Sequence, residues 1–151
     1  MDQVDIKILD CLRANARMSA SVIGEHVNLS VSAVIERIKK LENQGIIKQY
    51  TVVLDSKLIG KDIAAFISIS LEHPKYNAGF IESVKNNGQI TECHYITGDS
   101  DFILKVITDS TQSLEGILNL IKSIKGVSQT KTLVVLSTLK RDVSVLPNEI
   151  K

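Results

Sequence analysis

The spacing of apolar residues changes character about a third of the way along the chain. In "MDQVDIKILDCLRANAR", Val4, Ile8, Leu9 and Leu12 recur at helical spacing. Asp2 is placed to cap this helix, and Asp5 lies in the first turn, where negative charge is favoured. "RMSASVIGEHVNLS" carries Val22, Ile23 and Val27 behind Ser19, a good N-cap, and then reaches Asn28, which tolerates the left-handed backbone of a tight turn. Ser30 can cap a third helix, "VSAVIERIKKLENQ", which stops at Gly45. The expected order is supporting helix, short helix, tight turn, longer helix.

Beyond Gly45 the helical period gives way to β-branched residues. "IIKQYTVVLD" reads as a strand or a wing-like hairpin. "DSKLIGKD", Asp55 to Asp62, has the character of a linker, so the boundary is placed near Gly60, with one domain over 1–60 and a second over 61–151. The second domain begins with the strand "AAFISISL", with Ile67, Ile69 and Leu71 on one face. The helix "NAGFIESVKNNG" follows, with Phe80, Ile81 and Val84 inward. Two strands, "ITECHYIT" and "DFILKVIT", precede the helix "SLEGILNLIKSIKG", whose inward residues are Leu114, Ile117, Leu118 and Ile121. The strand "SQTKTLVVL" ends the series. This is an α+β chain, and the order strand-helix-strand-strand-helix-strand is the ferredoxin-like split βαβ arrangement. Its two helices cover one sheet face and leave the other for a partner, often a second copy. The tail from Thr138 to Lys151 contains Pro147 and several charges and reads as a loose end.

Composition narrows the function. The chain has 151 residues and is 44% hydrophobic, enough for one or two small cores without disulfides. No apolar run approaches the roughly 20 residues of a membrane helix, so no membrane partner is expected. The acidic, amphipathic start is unlike a signal peptide. Cys11 and Cys93 stand alone, as reduced thiols of a cytoplasmic protein do. His26, His73 and His94 form no metal-spaced cluster, and neither a metal nor another cofactor is expected. Glu92 and His94 can share a strand face, which is more simply a solvated or dimer-facing pair than a metal site.

The net charge of +1 does not announce nucleic acid, so its distribution decides. At about 100° per residue, Val31, Val34, Ile35, Ile38 and Leu41 fall on one side of the third helix. Ser32, Ala33, Glu36, Arg37, Lys39 and Lys40 fall on the other. That face, entered at Ser30, starts small and ends basic, as a helix entering the major groove requires. Ser32 and Arg37 suit base edges, and Lys39, Lys40 and Lys48 suit phosphates. An ordinary solvated face explains the same charges. The capped helix and tight turn ahead of it bring the two readings level, while Glu36 and Glu42 dilute the positive field.

A second candidate is the turn inside "HYITGDSDFILKV". Gly98 can supply the positive φ of a strand-strand turn, and on pattern alone a plain turn suffices. A free amino acid, however, needs a carboxylate for its ammonium and amides or hydroxyls for its own carboxylate. Asp99 and Asp101 supply the first, with Asp101 the favoured partner. Thr97, Ser100 and the backbone around Gly98 supply the second.

In "VDIKIL", "LSVSAVIERIKKLENQGIIKQYTVVLD", "ECHYITGDSDFILKV" and "GVSQTKTLVVL", taken in order, the chain resembles the Lrp/AsnC family of bacterial and archaeal regulators, the feast/famine regulators. The resemblance covers nearly the whole chain. It implies a winged helix-turn-helix, then a ferredoxin-like domain for effector binding and oligomerisation. The implied partners are double-stranded DNA, a small-molecule effector such as an amino acid, and further copies of the chain. Those copies would form a homodimer and then a larger ring such as an octamer. The resemblance also places the turn, together with the strand carrying Leu133 and Val134, at the border of an effector site between subunits. Asn28 stands where the family usually has Gly, Val31 for a frequent Pro, Ala16 for a frequent Gly, and Ser100 for a frequent aromatic. Without a basic N-terminal extension, no minor-groove arm is expected.

The sequence therefore points to an effector-responsive, sequence-specific DNA-binding regulator with no catalytic residues. The alternatives are an architectural protein that wraps DNA with little sequence choice, and a tetrapyrrole decarboxylase-like enzyme using His94. Against the enzyme, Arg141 is the only arginine after Arg37, and neither a nucleophile-base pair nor a phosphate loop is visible.

Overall fold

The computed structural model describes residues 1–148. They divide into two compact units, one formed by the chain up to Val53 together with the segment from Lys140, the other by Leu54–Leu139. The division falls earlier than the expected Gly60, because the linker is tied to the second unit. There the Lys61 ammonium lies 2.8 Å from the Asp109 carboxylate. Residues 140–148 group with the first unit, without helix or strand and largely exposed.

The first unit has three helices, α1 (Gln3–Ala14), α2 (Ala20–Val27) and α3 (Val31–Asn43). Each begins as its sequence dictates. Asp2 and Asp5 form a reciprocal capping box on α1, and the Ser19 and Ser30 hydroxyls accept from the Val22 and Ala33 amides. Ile8, Ile23, Val27 and Val34 are the buried centre of this unit, with Val4, Cys11, Leu12 and Ile38 packed around them. The α2–α3 turn depends on two backbone features. Asn28 adopts φ 56°, the left-handed conformation expected of it. Gly24 lies so close to the turn that a Cβ there would sit 2.6 Å from the Leu29 carbonyl oxygen.

Residues 46–55 form no strand, so the expected strand or wing-like hairpin is corrected. β-Branched residues favour a pleated backbone, but a ladder needs a partner, and none of the described residues provides one. Val52, Val53 and Leu54 are consequently exposed.

The second unit contains β1 (Ile63–Leu71), α4 (Asn77–Lys85), β2 (Ile90–Tyr95), β3 (Phe102–Thr108), α5 (Thr111–Ser123) and β4 (Val127–Val134), with a single 3₁₀ turn over Pro74–Tyr76. The antiparallel sheet has the order β2-β3-β1-β4, as the ferredoxin-like reading requires. Ala65, Ile67 and Ile69 of β1 and Phe102, Leu104 and Val106 of β3 face α4 and α5, where they meet Phe80, Val84, Leu114, Ile117 and Ile121. The rings of Phe80 and Phe102 lie 4.9 Å apart at the centre of this core. The other sheet face carries Phe66 and Leu133 directly opposite each other, and both are exposed.

Candidate functional site

The exposed face of α3 differs from the periodicity reading. Val34 and Leu41 are buried, and Ala33, Arg37 and Ile38 lie partly buried beside them. Val31 and Ile35, expected inward, are 46% and 42% exposed. The solvent face is therefore Val31, Ser32, Ile35, Glu36, Lys39 and Lys40. Ser30 faces solvent as well, but its hydroxyl is the α3 cap and lies 3.1 Å from that of Ser32. Lys48 is exposed just beyond the helix.

Arg37 explains the rotation of the face. Its guanidinium donates to Asp5 at 2.6 Å and Asp2 at 2.7 Å, clamping α3 to the start of α1. Asp5 is only 3% exposed, so the clamp satisfies a buried carboxylate. The Asp5 amide and the Arg37 guanidinium hold the Asp2 carboxyl below its usual range, and the two carboxylates raise the Arg37 pKa in turn. Arg37 is thus corrected from base reader to positioning residue. Neither the arginine nor the acids Asp2 and Asp5 at the start of α1 show this pairing in sequence, because it depends on how the helices pack.

The turn between β2 and β3 is built against the end of β1. The Asp101 amide donates to the Ile69 carbonyl, and the Ile96 amide to the Asp101 carbonyl. The Ser70 hydroxyl donates to the Asp99 carbonyl at 3.3 Å. Gly98 has φ 116°, and nothing stands within 4 Å of where its Cβ would be. Thr97, Gly98 and Asp99 are exposed, while Ser100 and Asp101 are half-buried. Among the described residues, the amides of Gly98, Asp99 and Ser100 donate to no protein acceptor. Asp101 has a structural task, because its Oδ2 accepts from the Leu71 amide at 2.7 Å. That amide sits where the β1–β4 register shifts at Ser70/Leu71. The favoured ammonium partner is therefore partly consumed in holding the turn.

Leu133 and Val134 do not join this turn within one chain. They pair with Phe66 and Ala65, whereas the turn is stitched to Ile69–Leu71 further along the strand. Adjacent strand residues also point to opposite faces, so the two cannot line one surface together.

Glu92 and His94 do share a face, 3.2 Å apart, with the Lys105 ammonium 2.7 Å from Glu92. Lys105 and His94 hold the Glu92 carboxyl below its usual range. The three form a hydrogen-bonded cluster around Glu92, and no group of three or more possible metal ligands occurs among the described residues. His94 and Arg141 fall in different compact units.

A winged helix-turn-helix DNA-binding model matches residues 1–48, and the Lrp/AsnC ligand binding domain matches residues 64–145. The chain belongs to the Lrp/AsnC family. This Lrp/AsnC protein is 33% identical over 140 residues to the HTH-type transcriptional regulator FL11 of Pyrococcus horikoshii, covering 93% of this chain and 92% of that one. It is 31% identical to the transcriptional regulator AzlB of Bacillus subtilis, covering 99% and 98%. Among solved structures, a transcriptional regulator from Neisseria meningitidis in complex with L-methionine superposes with a TM-score of 0.94 at 29% identity, covering 98% and 97%. The feast or famine regulatory protein of M. tuberculosis, complexed with L-methionine, gives 0.89 at 25%, covering 97% and 99%. The chain is a transcriptional regulator with a helix-turn-helix DNA-binding domain and a ligand-binding domain.

Proposed function

We propose that this regulator holds duplex DNA on the exposed face of α3 and changes its assembly or DNA affinity when a free amino acid occupies the Thr97–Asp101 turn. The observation that carries the effector reading is the turn itself. Its backbone is fixed to β1, yet its amides at Gly98, Asp99 and Ser100 face no protein acceptor, and an exposed carboxylate stands beside them. Those amides, with the Thr97 and Ser100 hydroxyls, suit a carboxylate, and Asp99 suits an ammonium. Asp99 replaces Asp101 as the favoured partner because Asp101 already serves the Leu71 amide. L-Methionine is the first effector to test, since two close structural neighbours are complexes with it.

On the DNA side, Lys39, Lys40 and Lys48 take phosphates, and Ser32 lies at the end of α3 that enters the groove. A second copy covers the bare sheet face at Phe66 and Leu133. It gives the regulator two recognition helices, and dimers join into a larger ring such as an octamer. Leu133 or Val134, which point to opposite faces of β4, reaches an effector only if another subunit supplies it. Such a regulator works in the cytoplasm, where its DNA is.

Calorimetry against the twenty amino acids tests the effector site. Wild type is expected to bind L-methionine or a related amino acid, and Asp99→Ala to lose at least about tenfold in affinity, as removing a charged partner does. Equal binding by both proteins would move the site away from this turn.

A further inference from the structure

The exposed face of α3 is two parallel rows rather than a simple basic patch. Val31, Ile35 and Lys39 form one row, spaced four residues apart. Ser32, Glu36 and Lys40 form the next, at the same spacing, and all six residues face solvent. Each row ends in a lysine at the C-terminal half of the helix. Ahead of the lysines stand groups that phosphate does not attract, the branched aliphatics Val31 and Ile35 in one row and the Glu36 carboxylate, after Ser32, in the other.

Scattered apolar residues on a surface are ordinary. Here two β-branched ones stand one turn apart at the start of the helix that follows the tight turn. The Arg37 clamp fixes them outward, because it turns that side of α3 toward Asp2 and Asp5. The α1–α2–α3 core is meanwhile closed by Val34 without them. This face continues directly into Lys39 and Lys40, which match a phosphate backbone, so the occupant that fits the whole face is a DNA major groove.

The major groove presents one apolar group, the C5 methyl of thymine. It also presents few groups that welcome a carboxylate. Glu36 only accepts hydrogen bonds, so guanine O6 and N7 and thymine O4 repel it; adenine offers its N6 amino group beside a repelling N7, whereas the cytosine N4 amino group donates with no acceptor alongside it on that base. Phosphates repel it as well, which leaves a base edge as its favourable contact.

We infer that Val31 and Ile35 read thymine methyl groups and that Glu36 reads a cytosine amino group beside them. The specificity of the regulator then lies in an apolar-acidic strip at the N-terminal half of α3, with the lysines supplying sequence-independent affinity. This inference rests on the reading of α3 as the DNA-binding helix.

The test starts from a duplex selected by the purified full-length protein from a random pool. Each thymine is then replaced singly by deoxyuridine, which removes only the methyl. Wild type is expected to lose about fourfold in affinity at one or two positions per half-site, the effect of one methyl group withdrawn from contact. Ile35→Ala or Val31→Ala should bind thymine and uracil equally at those positions. Both variants keep their fold, since the side chains are exposed and alanine is the better helix former. Glu36→Gln should shift one preferred base from cytosine toward adenine, whose N6 and N7 an amide can match. Uniform tolerance of uracil by wild type, or an unchanged uracil penalty in Ile35→Ala, overturns the methyl reading. An unchanged base preference in Glu36→Gln overturns the role of Glu36. In each of these cases salt-dependent duplex binding persists, which leaves the DNA-binding reading standing. Absence of any duplex binding at low salt overturns both.

Discussion

Arg37 connects two residues that appear in sequence only as a cap and a favourable charge. Asp2 and Asp5 are legible as helix-starting residues, and the structure confirms that role in the capping box. Their second role, holding an arginine more than thirty positions away, has no local signature, because an ion pair between helices depends on how the helices pack. Arg37→Ala is expected to lower the unfolding midpoint of the N-terminal unit by leaving the Asp5 carboxylate buried and unpaired. Arg37→Lys should recover part of the loss, since one guanidinium nitrogen makes both contacts and an ammonium carries enough donors for two acids, but on a shorter side chain. Thermal unfolding checks this, and an unchanged midpoint in Arg37→Ala contradicts the clamp. Asp109 is a comparable case in the other unit. Lys61 first, then the hydroxyls of Ser113 and Ser110, hold its carboxyl well below the usual range. A depressed folded-state pKa stabilises above the unfolded value of about 4, and that contribution disappears as pH falls through the folded value. The stability difference between wild type and Lys61→Ala should therefore be full near neutral pH and shrink in strong acid. Denaturant midpoints measured across pH give the comparison, and a difference independent of pH removes the pair as its source.

At the scale of elements, the order of helices and strands is readable because each carries its own period and caps. Ser19, Ser30 and Asn28 announce the turn-linked helix pair, and the alternation of β1 and β3 announces the core. What pattern cannot supply is the rotation of a short helix. Val31 and Ile35 look like core residues on a wheel, and only packing decides that Val34, Arg37, Ile38 and Leu41 take that place. The same holds for residues 46–55, whose strand character is plain while the partner a strand requires is not encoded locally. Gly24 was also silent, although it sets the α2–α3 approach. Gly24→Ala would push a methyl against the Leu29 carbonyl oxygen, and a rigid backbone neighbour cannot yield as a side chain would. A loss of about 1–3 kcal/mol is expected, with weaker DNA binding, because the turn must open to relieve the contact. Equal chemical stability of wild type and variant would show that the helix-turn-helix can shift without cost.

For the whole molecule, the exposed apolar residues are the most informative feature. Phe66 and Leu133 face each other on the bare sheet face, and Val52 and Leu58 around the linker and Leu136 and Leu139 after β4 are exposed as well. The ferredoxin-like pattern anticipated the bare face. Chain order says nothing of contacts between chains, so the pattern does not show what stands opposite the Thr97–Asp101 turn. Leu133 and Val134, which the family resemblance sets at a border between subunits, lie apart from the turn within one chain. In the proposed function, occupancy of this turn changes what α3 does. The most direct measurement is a titration of a selected duplex with the full-length protein at fixed salt, with and without saturating L-methionine and then each other amino acid. At least one amino acid is expected to shift the DNA-binding midpoint or the size of the bound assembly, and Asp99→Ala to abolish the shift while retaining effector-free binding. Identical isotherms and assemblies with every amino acid would contradict the proposed function.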